Sequence, residues 1–229
     1  MSRIQNNLSL TPQILLQAYS VGLFPMAESA DDPHIFWVDP PDRGIFPLDG
    51  LIIRRSLAKV LRADRFEVRI DHDFDAVIAG CAKTRADGAG TWINPLIRQL
   101  YRKLFDQGHV HSVETYLDGA LVGGLYGVAL GQAFCGESMF HRATDASKVA
   151  LAHLVAHLRA MDYQLLDTQF ITPHLASLGA IEISRNQYHA RLDAAVPSGR
   201  FEVVDWSNRP AYSGARVLEI LSQGPEPQN

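Results

Sequence analysis

The sequence predicts an α/β fold with a mixed β-sheet, and two features of its second half carry that prediction. Three β-type runs follow one another between residues 111 and 140, and the turn Asp118-Gly119 separates the first two. An Asp-Gly pair between apolar runs is a strong hairpin signal. A helical run over residues 146–161 then leads to another apolar β-type run over 163–170. Since a strand-helix-strand crossover joins parallel strands, antiparallel and parallel pairs should share one sheet.

The N-terminal part predicts a short helix followed by an ordered loop region. Thr11-Pro12 has the form of an N-cap and first helical position, and Gly22 ends the helical pattern. Residues 24–49 are rich in proline and glycine but carry several aromatic residues, which disordered linkers lack. We place a domain boundary near Arg43, which gives a small N-terminal domain over 1–43 and a main domain over 44–229.

Three elements are predicted between this boundary and the hairpins. "RRSLAKVLRADR" has Leu57, Val60 and Leu61 on one helical face and basic residues elsewhere, which indicates a basic amphipathic helix. "FEVRID" alternates as a strand, and "FDAVIAGCAK" returns to helical spacing. "NPLIRQLYRKLFDQGH" forms a longer helix with Asn94 as its cap. Helical runs in "HLASLGA", "RNQYHARLDAA" and "VLEILS" complete the chain.

Composition limits the classes of function. The 229 residues carry a formal net charge of -4, so a nucleic-acid partner would need a local basic patch. The two cysteines form no disulfide framework, and no Cys/His set has zinc-finger spacing. No uncharged apolar run reaches the ~18 residues of a membrane span, and no signal-peptide core is present. We expect a cytoplasmic protein without a metal, a cofactor or a membrane partner.

Three motifs that resemble catalytic or binding signatures are interpreted as structural. His153 and His157 have zinc-helix spacing, but no Glu follows the first histidine, and both lie opposite the apolar stripe, which predicts a solvent-exposed face. The glycines of "GGLYG" lie inside a strand and favour close packing over phosphate binding. Cys135 has no base visible in the sequence, so it is assigned to the core.

Two polar sites differ from these because each ends an apolar strand. Glu137 stands in "CGESMF", and Asp167 and Gln169 stand in "LLDTQF". Ligands of open α/β sheets bind outside the carboxyl ends of the strands. If the crossover places the two strands side by side, these side chains share one cleft.

The same residues belong to a wider pattern that closely resembles the leucyl/phenylalanyl-tRNA-protein transferase family. The resemblance runs in order from Leu15 to Leu192 and rests on "GLFPM", "FWVDPPDRGIFPLD", "GTWI", "LVGGLYGVALGQAFCGESMF", "ASK", "LLDTQF" and "HLASLGA". It implies a GNAT-like acyltransferase core that moves leucine or phenylalanine, and methionine less well, from tRNA to the N-terminal Arg or Lys of a protein. The product is then marked for proteolysis. The implied partners are leucyl-tRNA, phenylalanyl-tRNA and these acceptor proteins.

The resemblance also implies roles for individual residues. Asp167 and Gln169 match the pair that polarises and orients the acceptor amine, and they, not Glu137, are assigned the main catalytic role. Trp92 matches an aromatic residue near the terminal adenosine, whereas Met26 stands where a Trp is common. The basic helix with Arg55, Lys59 and Arg62 falls where the family grips tRNA. The side chain being transferred would lie in an apolar pocket with a polar rim, formed by Phe134, Met139, Leu125, Leu151, Leu154 and Leu166, with Glu137 and Ser138 at the rim.

Two other functions stay open at this point. An acyl-CoA-dependent N-acetyltransferase would share the fold, but the loop "HRATDASK" lacks the glycine-rich cradle that a pyrophosphate requires. A tRNA-binding module without catalysis would keep the basic helix and would not need the polar groups of "GES" and "DTQ".

Overall fold

A computed structural model describes residues 10–83, 90–197, 203–206 and 210–223. These residues form a seven-stranded sheet with the order β4-β5-β6-β7-β8-β3-β9, a two-stranded sheet of β1 and β2, and the helices that cover them. The elements are α1 Pro12–Ser20, β1 Phe24–Met26, β2 Phe36–Val38, β3 Asp42–Ile45, α2 Arg55–Arg62, β4 Glu67–Ile70, α3 Phe74–Cys81, α4 Pro95–Asp106, β5 Val110–Leu117, β6 Ala120–Leu130, β7 Ala133–His141, α5 Ala146–Ala160, β8 Leu165–Gln169, α6 Pro173–Ser177, β9 Ile181–Ser184, α7 Arg185–Ala195 and α8 Gly214–Ser222.

The centre of the sheet is built as the sequence predicts. Strands β5, β6 and β7 are antiparallel neighbours, and the crossover through α5 places β8 parallel to β7. Cys135 of β7 lies opposite Asp167 of β8. The α/β class and the mixed sheet flanked by helices are therefore confirmed, and the polar ends of β7 and β8 lie side by side.

The predicted N-caps of two helices are also confirmed. The Thr11 hydroxyl accepts a hydrogen bond from the backbone N–H of Ile14 at 3.3 Å, and the Asn94 side chain accepts one from Ile97 at 2.8 Å. Each bond satisfies a backbone donor that the first turn of a helix leaves free. These caps fix where α1 and α4 begin, and both helices send a tyrosine towards the site described below.

The interpretation of residues 24–49 as a loop region is wrong, because three strands lie within it. Strands β1 and β2 pair with each other, and β3 enters the main sheet antiparallel to both β8 and β9. Strand β3 has only four residues and is flanked by prolines, so its sequence has no clear period of two. Residue 43, where the sequence analysis divides the chain, lies inside this strand. A domain boundary at that position stays a prediction.

The prediction that His153 and His157 face solvent is wrong. Their exposed fractions are 2% and 0%, because α2 and α8 cover the side of α5 that faces away from the sheet. The His157 ring stacks on Tyr212, with 4.3 Å between the ring centroids. Burial lowers the pKa of His153 to about 4, so its ring is neutral at pH 7. The apolar stripe alone did not reveal that a C-terminal helix covers the other face.

No helix within the described ranges combines the length and the apolar character that crossing a membrane requires.

Candidate active site

A cavity of about 930 Å³ opens at the carboxyl ends of β7 and β8. Its walls come from β1, β6, β7, α5, β8 and α6, which are distant in sequence and are brought together by the sheet order. Most of the site residues expected from the sequence line it: Trp92, Leu125, Glu137, Ser138, Met139, Leu151, Leu154, Leu166 and Gln169. Asp167 and Phe134 do not line it.

One part of the cavity wall is apolar. Leu125, Leu151, Leu154 and Leu166 are each at most 4% exposed, and Leu125 of β6 pairs in register with Met139 of β7. The four leucines come from two strands and one helix, so a branched or aromatic side chain placed here would be surrounded on several sides.

Phe134 lies in the core beneath this part of the cavity. It is fully buried, and its ring lies 5.7 Å from that of Trp206. Its backbone position on β7 is close to the cavity, but its side chain lies outside the wall.

Glu137 is aimed into the cavity by an irregularity in β7. Gly127 of β6 pairs with Gly136, whereas Tyr126 pairs with Ser138, so Glu137 is the extra residue of a bulge. A bulge turns one side chain out of the alternation of its strand, and bulges are frequent beside active sites. The carboxylate is partly buried and borders the cavity.

Two tyrosines from the helices hold this carboxylate. The Tyr19 hydroxyl of α1 donates to Oε1 at 2.7 Å, and the Tyr101 hydroxyl of α4 donates to Oε2 at 2.8 Å. The Gln169 amide nitrogen lies 3.4 Å from Oε1. Burial raises the pKa of Glu137 to about 7, and the two tyrosine hydrogen bonds oppose this rise. The carboxyl group can therefore gain and lose a proton near neutral pH.

Asp167 has different surroundings, although it is on the next strand. Arg43 binds it through two parallel hydrogen bonds, Nε to Oδ1 at 2.8 Å and Nη2 to Oδ2 at 2.6 Å. The Tyr188 hydroxyl donates to Oδ2 at 3.1 Å, and the backbone N–H of Gln169 donates to Oδ1 at 2.9 Å. Asp167 is 0% exposed and Arg43 is 1% exposed. Every partner of this carboxylate is a fixed protein group.

Arg43 is itself fixed by several contacts. Its Nη1 donates to the Gly22 carbonyl at 2.8 Å, and its guanidinium lies 4.6 Å from the Phe24 ring centroid and 4.2 Å from that of Tyr188. The arginine therefore connects β3 to the β1 region, to β8 and to α7. Asp167 in turn holds the backbone of Gln169, which has a left-handed φ of 56°. The Gln169 side chain then reaches Glu137.

The sequence reasoning missed Arg43, Tyr19 and Tyr101. Arg43 is hidden in a short strand that was interpreted as loop, and the tyrosines occupy ordinary positions on helical faces. An arginine on an apolar strand, in "RGIF", is the one signal that could have suggested a buried partner.

The predicted basic helix is confirmed as α2. Leu57 and Leu61 are buried, and the side chains of Arg55, Lys59 and Arg62 are exposed. The described residues give none of these three cations a carboxylate within salt-bridge distance. Among the described residues, no group of three or more His, Cys, Asp or Glu side chains is placed to hold a metal ion.

Comparison with known families assigns the chain to one protein family. The model of the leucyl/phenylalanyl-tRNA protein transferase family matches residues 45–193, and the model of its N-terminal domain matches residues 9–41. The chain belongs to this family. A small N-terminal domain is thus a feature of the family, as the sequence predicts.

Close relatives extend over nearly the whole chain. The leucyl/phenylalanyl-tRNA-protein transferase of Rhodopseudomonas palustris strain TIE-1 is 59% identical over 214 residues, which are 93% of this chain and 95% of the relative. That of strain HaA2 is 54% identical with the same coverage.

Solved structures are similar only at a low level. A ribosomal-protein-alanine N-acetyltransferase from Brucella melitensis biovar Abortus 2308 has a TM-score of 0.36 at 14% identity, and covers 49% of this chain and 86% of its own. A conserved protein of unknown function from Staphylococcus epidermidis ATCC 12228 has a TM-score of 0.40 at 9% identity, and covers 80% of this chain and 68% of its own. Scores this low support no conclusion about the site.

Proposed function

We propose that this protein transfers leucine or phenylalanine, and methionine less well, from aminoacyl-tRNA to the N-terminal Arg or Lys of acceptor proteins. The product would carry an N-terminal signal for proteolysis, and the reaction would take place in the cytoplasm. Besides the family membership, the observation that carries the proposal is the cavity in which an apolar pocket adjoins the Glu137 carboxylate. A pocket for an apolar donor side chain and an anion for a basic acceptor are the two recognition elements that this reaction needs.

The apolar part of the cavity is the proposed pocket for the donor side chain. Leu125, Leu151, Leu154 and Leu166 present no polar atom to it, so polar amino acids would lose their hydration without gaining hydrogen bonds. Methionine differs little from leucine in size and transfer energy, so the pocket separates these two weakly. Trp92, which also lines the cavity, would lie near the terminal adenosine.

The chemistry needs no cofactor, because an aminoacyl ester is already activated and positioning supplies much of the rate. The acceptor nitrogen attacks the ester carbonyl, a C–N bond forms, and the C–O bond to the ribose oxygen breaks. The acceptor's ammonium form, whose pKa is ~8, first loses one proton to solvent and gives the neutral amine that attacks. As the amide forms, the nitrogen loses a second proton, and the released ribose oxygen gains one. With a pKa near 7, Glu137 can accept this second proton from the nitrogen and can then supply it to the ribose oxygen.

Asp167 has a positioning role in this scheme. Its oxygens are occupied by Arg43, by Tyr188 and by the backbone N–H of Gln169. Asp167 does not contact the Gln169 side-chain amide. It would therefore orient that amide through the Gln169 backbone and would not polarise it directly. Gln169 then orients the acceptor amine beside Glu137.

Binding of tRNA is assigned to Arg55, Lys59 and Arg62 of α2. A local patch of exposed cations is what a polyanion requires of a chain with a net charge of -4. The acyl-CoA alternative is less well supported, since the turn before α5 contains no glycine between residues 141 and 148.

The direct test uses leucyl-tRNA and phenylalanyl-tRNA, each with a labelled amino acid, and peptides that begin with Arg, Lys, Asp or Ala. Label should pass to the Arg and Lys peptides alone. An Arg peptide with an acetylated N-terminus is the control and should accept nothing. Transfer to all four peptides would contradict the assigned acceptor class, and tRNA binding without transfer would support the non-catalytic module.

A further inference from the structure

The charges that line the cavity are separated by sign. Among the described residues that line it, Glu137 is the one carboxylate, and the basic residues are Lys83, His141, Arg142 and His174. Glu137 and His141 belong to the same strand, and four residues of extended chain span about 13 Å. The carboxylate therefore lies at the inner part of β7, and His141 and Arg142 lie where the strand reaches solvent.

Arg142 is the most available of these cations. Its side chain is exposed, and its guanidinium lies 5.1 Å from the Phe140 ring centroid. Nη1 donates to the Leu121 carbonyl at 2.9 Å, and the described residues place no carboxylate within salt-bridge distance of it. The contacts with Phe140 and Leu121 hold the group at the rim, and among the described residues its remaining N–H donors have no hydrogen-bond partner.

Two more basic side chains, His174 and Lys148, lie near this rim. The pKa of His174 lies below its ordinary value, because burial disfavours the charged ring and because Lys148 and His141 are near it. Lys148 is paired with Asp145, whose carboxylate lies 2.8 Å from its Nζ. A bound anion at this rim would favour the protonated form of His174.

The first turn of α5 adds to this field. Ser147 in that turn lines the cavity. Gly123 allows the close approach, because a Cβ at that position would meet the Ala146 Cβ at 2.6 Å. The helix has 15 residues and no acidic residue in its first turn, and the Asp145 carboxylate at its N-cap pairs with Lys148 and does not cap the backbone, so N–H groups of the first turn are left to donate to an anion.

The basic helix α2 packs on the helix whose first turn borders the cavity. Leu57 and Leu61 of α2 belong to the same apolar cluster as Ala146 and Val149 of α5. A polyanion held by α2 is therefore held next to the helix that contributes Ser147 to the cavity wall.

We propose that His141, Arg142 and the first turn of α5 bind the phosphodiester that precedes the donor's terminal nucleotide. This inference rests on the proposed transfer reaction, and it defines the direction in which the donor tRNA enters the cavity. The tRNA strand enters over Arg142 and its ester reaches inwards to Glu137. The acceptor amine then approaches from the side of Gln169.

The test compares three donors that differ in phosphate content: leucyl-adenosine with no phosphate, the leucyl ester of a cytidylyl-adenosine dinucleotide with one phosphodiester, and leucyl-tRNA. Arg142→Gln should raise KM about tenfold for the dinucleotide and for the tRNA, and should leave leucyl-adenosine and kcat unchanged. The slope of log K for tRNA binding against log salt concentration should become less steep by about 0.7 to 0.9, as expected for the loss of one phosphate contact. Arg142→Lys should keep most of the affinity.

The matched control is Arg102→Gln, since Arg102 is also exposed but is paired with Asp75 and Asp106 away from the cavity. It should change none of these values. Equal losses for all three donors with Arg142→Gln, or no loss for the dinucleotide, would overturn the inference. Binding of amide-linked analogues of the same donors tests the phosphate contact even if the unmodified protein transfers nothing, an outcome that would refute the proposed function alone.

Discussion

Two carboxylates on neighbouring strands of this protein have opposite kinds of surroundings. Asp167 of β8 is bound by the positive charge of Arg43, and both its oxygens are occupied by fixed groups at 2.6 to 3.1 Å. Glu137 of β7 receives hydrogen bonds from the neutral hydroxyls of Tyr19 and Tyr101 and borders a cavity. The first carboxylate has a counter-charge, and the second has only dipoles.

The difference separates a carboxylate held by fixed partners from a carboxyl group that can exchange a proton. A guanidinium binds both oxygens of Asp167, and no water or substrate can replace it without breaking this buried pair. Neutral donors compensate only part of the desolvation of Glu137, so its pKa is raised to about 7. This contrast supports our proposal that Glu137 carries the proton chemistry of the site.

The largest effect is expected for Arg43→Leu, which leaves Asp167 buried without its counter-charge. Loss of one partner of a buried pair costs roughly 3 to 5 kcal/mol of unfolding free energy. Urea unfolding at pH 7 measures it. Because a paired apolar replacement removes the unpaired charge, Arg43→Leu with Asp167→Leu should recover part of the loss. A single variant within 1 kcal/mol of the unmodified protein would show that the pair does not hold this part of the fold.

A smaller effect, confined to turnover, is expected for Glu137→Gln. General base catalysis contributes about 10²-fold, so kcat should fall by about that factor while KM for the aminoacyl-tRNA changes little. In the unmodified protein kcat should rise as pH increases through about 7. In the variant this component should be absent, and only the rise through the acceptor amine's own pKa of ~8 should remain. A variant that keeps the component near pH 7 would exclude Glu137 as the base.

The free energy of unfolding should also depend on the ionisation of Glu137, and it should fall with rising pH where kcat rises. The folded-state pKa of Glu137 lies above the ordinary value of 4.5, so the folded protein holds this proton more tightly than the unfolded chain does. The resulting stabilisation is complete below pH 4.5 and is lost as pH rises through about 7. Glu137→Gln should remove that part of the pH dependence.

Tyr101→Phe should shift the midpoint of the kcat–pH profile and should not abolish the pH dependence. Removing one hydrogen bond to the charged carboxylate raises the pKa of Glu137 further, and one bond of this kind is worth about one pKa unit. The midpoint of the kcat profile should therefore move upwards by about that amount. Tyr188→Phe, which removes a donor from Asp167 instead, is the matched control and should leave the midpoint in place.

The smallest effect on activity is expected for Glu114→Gln. Burial also raises the pKa of Glu114 to about 7, but this carboxylate of β5 accepts hydrogen bonds from the backbone of His72 and Asp73 and does not line the cavity. The variant should flatten the fall of stability between pH 4.5 and 7 and leave the kcat profile unchanged. A shifted kcat profile would mean that a raised pKa alone does not identify the catalytic group.

Local patterns determined much of the fold. The hairpins, the crossover through α5, the caps Thr11 and Asn94 and the amphipathic α2 each depend on residues near one another in sequence, and each was predicted from that spacing. The polar ends of β7 and β8 were found for the same reason, since a parallel crossover forces two strands to end at one edge.

Only the tertiary structure decided which carboxylate is available. Arg43 reaches Asp167 across 124 positions, and Tyr19 reaches Glu137 across 118, because β3 inserts beside β8 and because α1 packs on α4 and on β6, the neighbour of β7. The burial of His153 under α2 and α8 is a contact of the same long-range kind. Sequence spacing sets periodicity over a few residues, whereas the charge and hydration of a buried group depend on every element that packs around it.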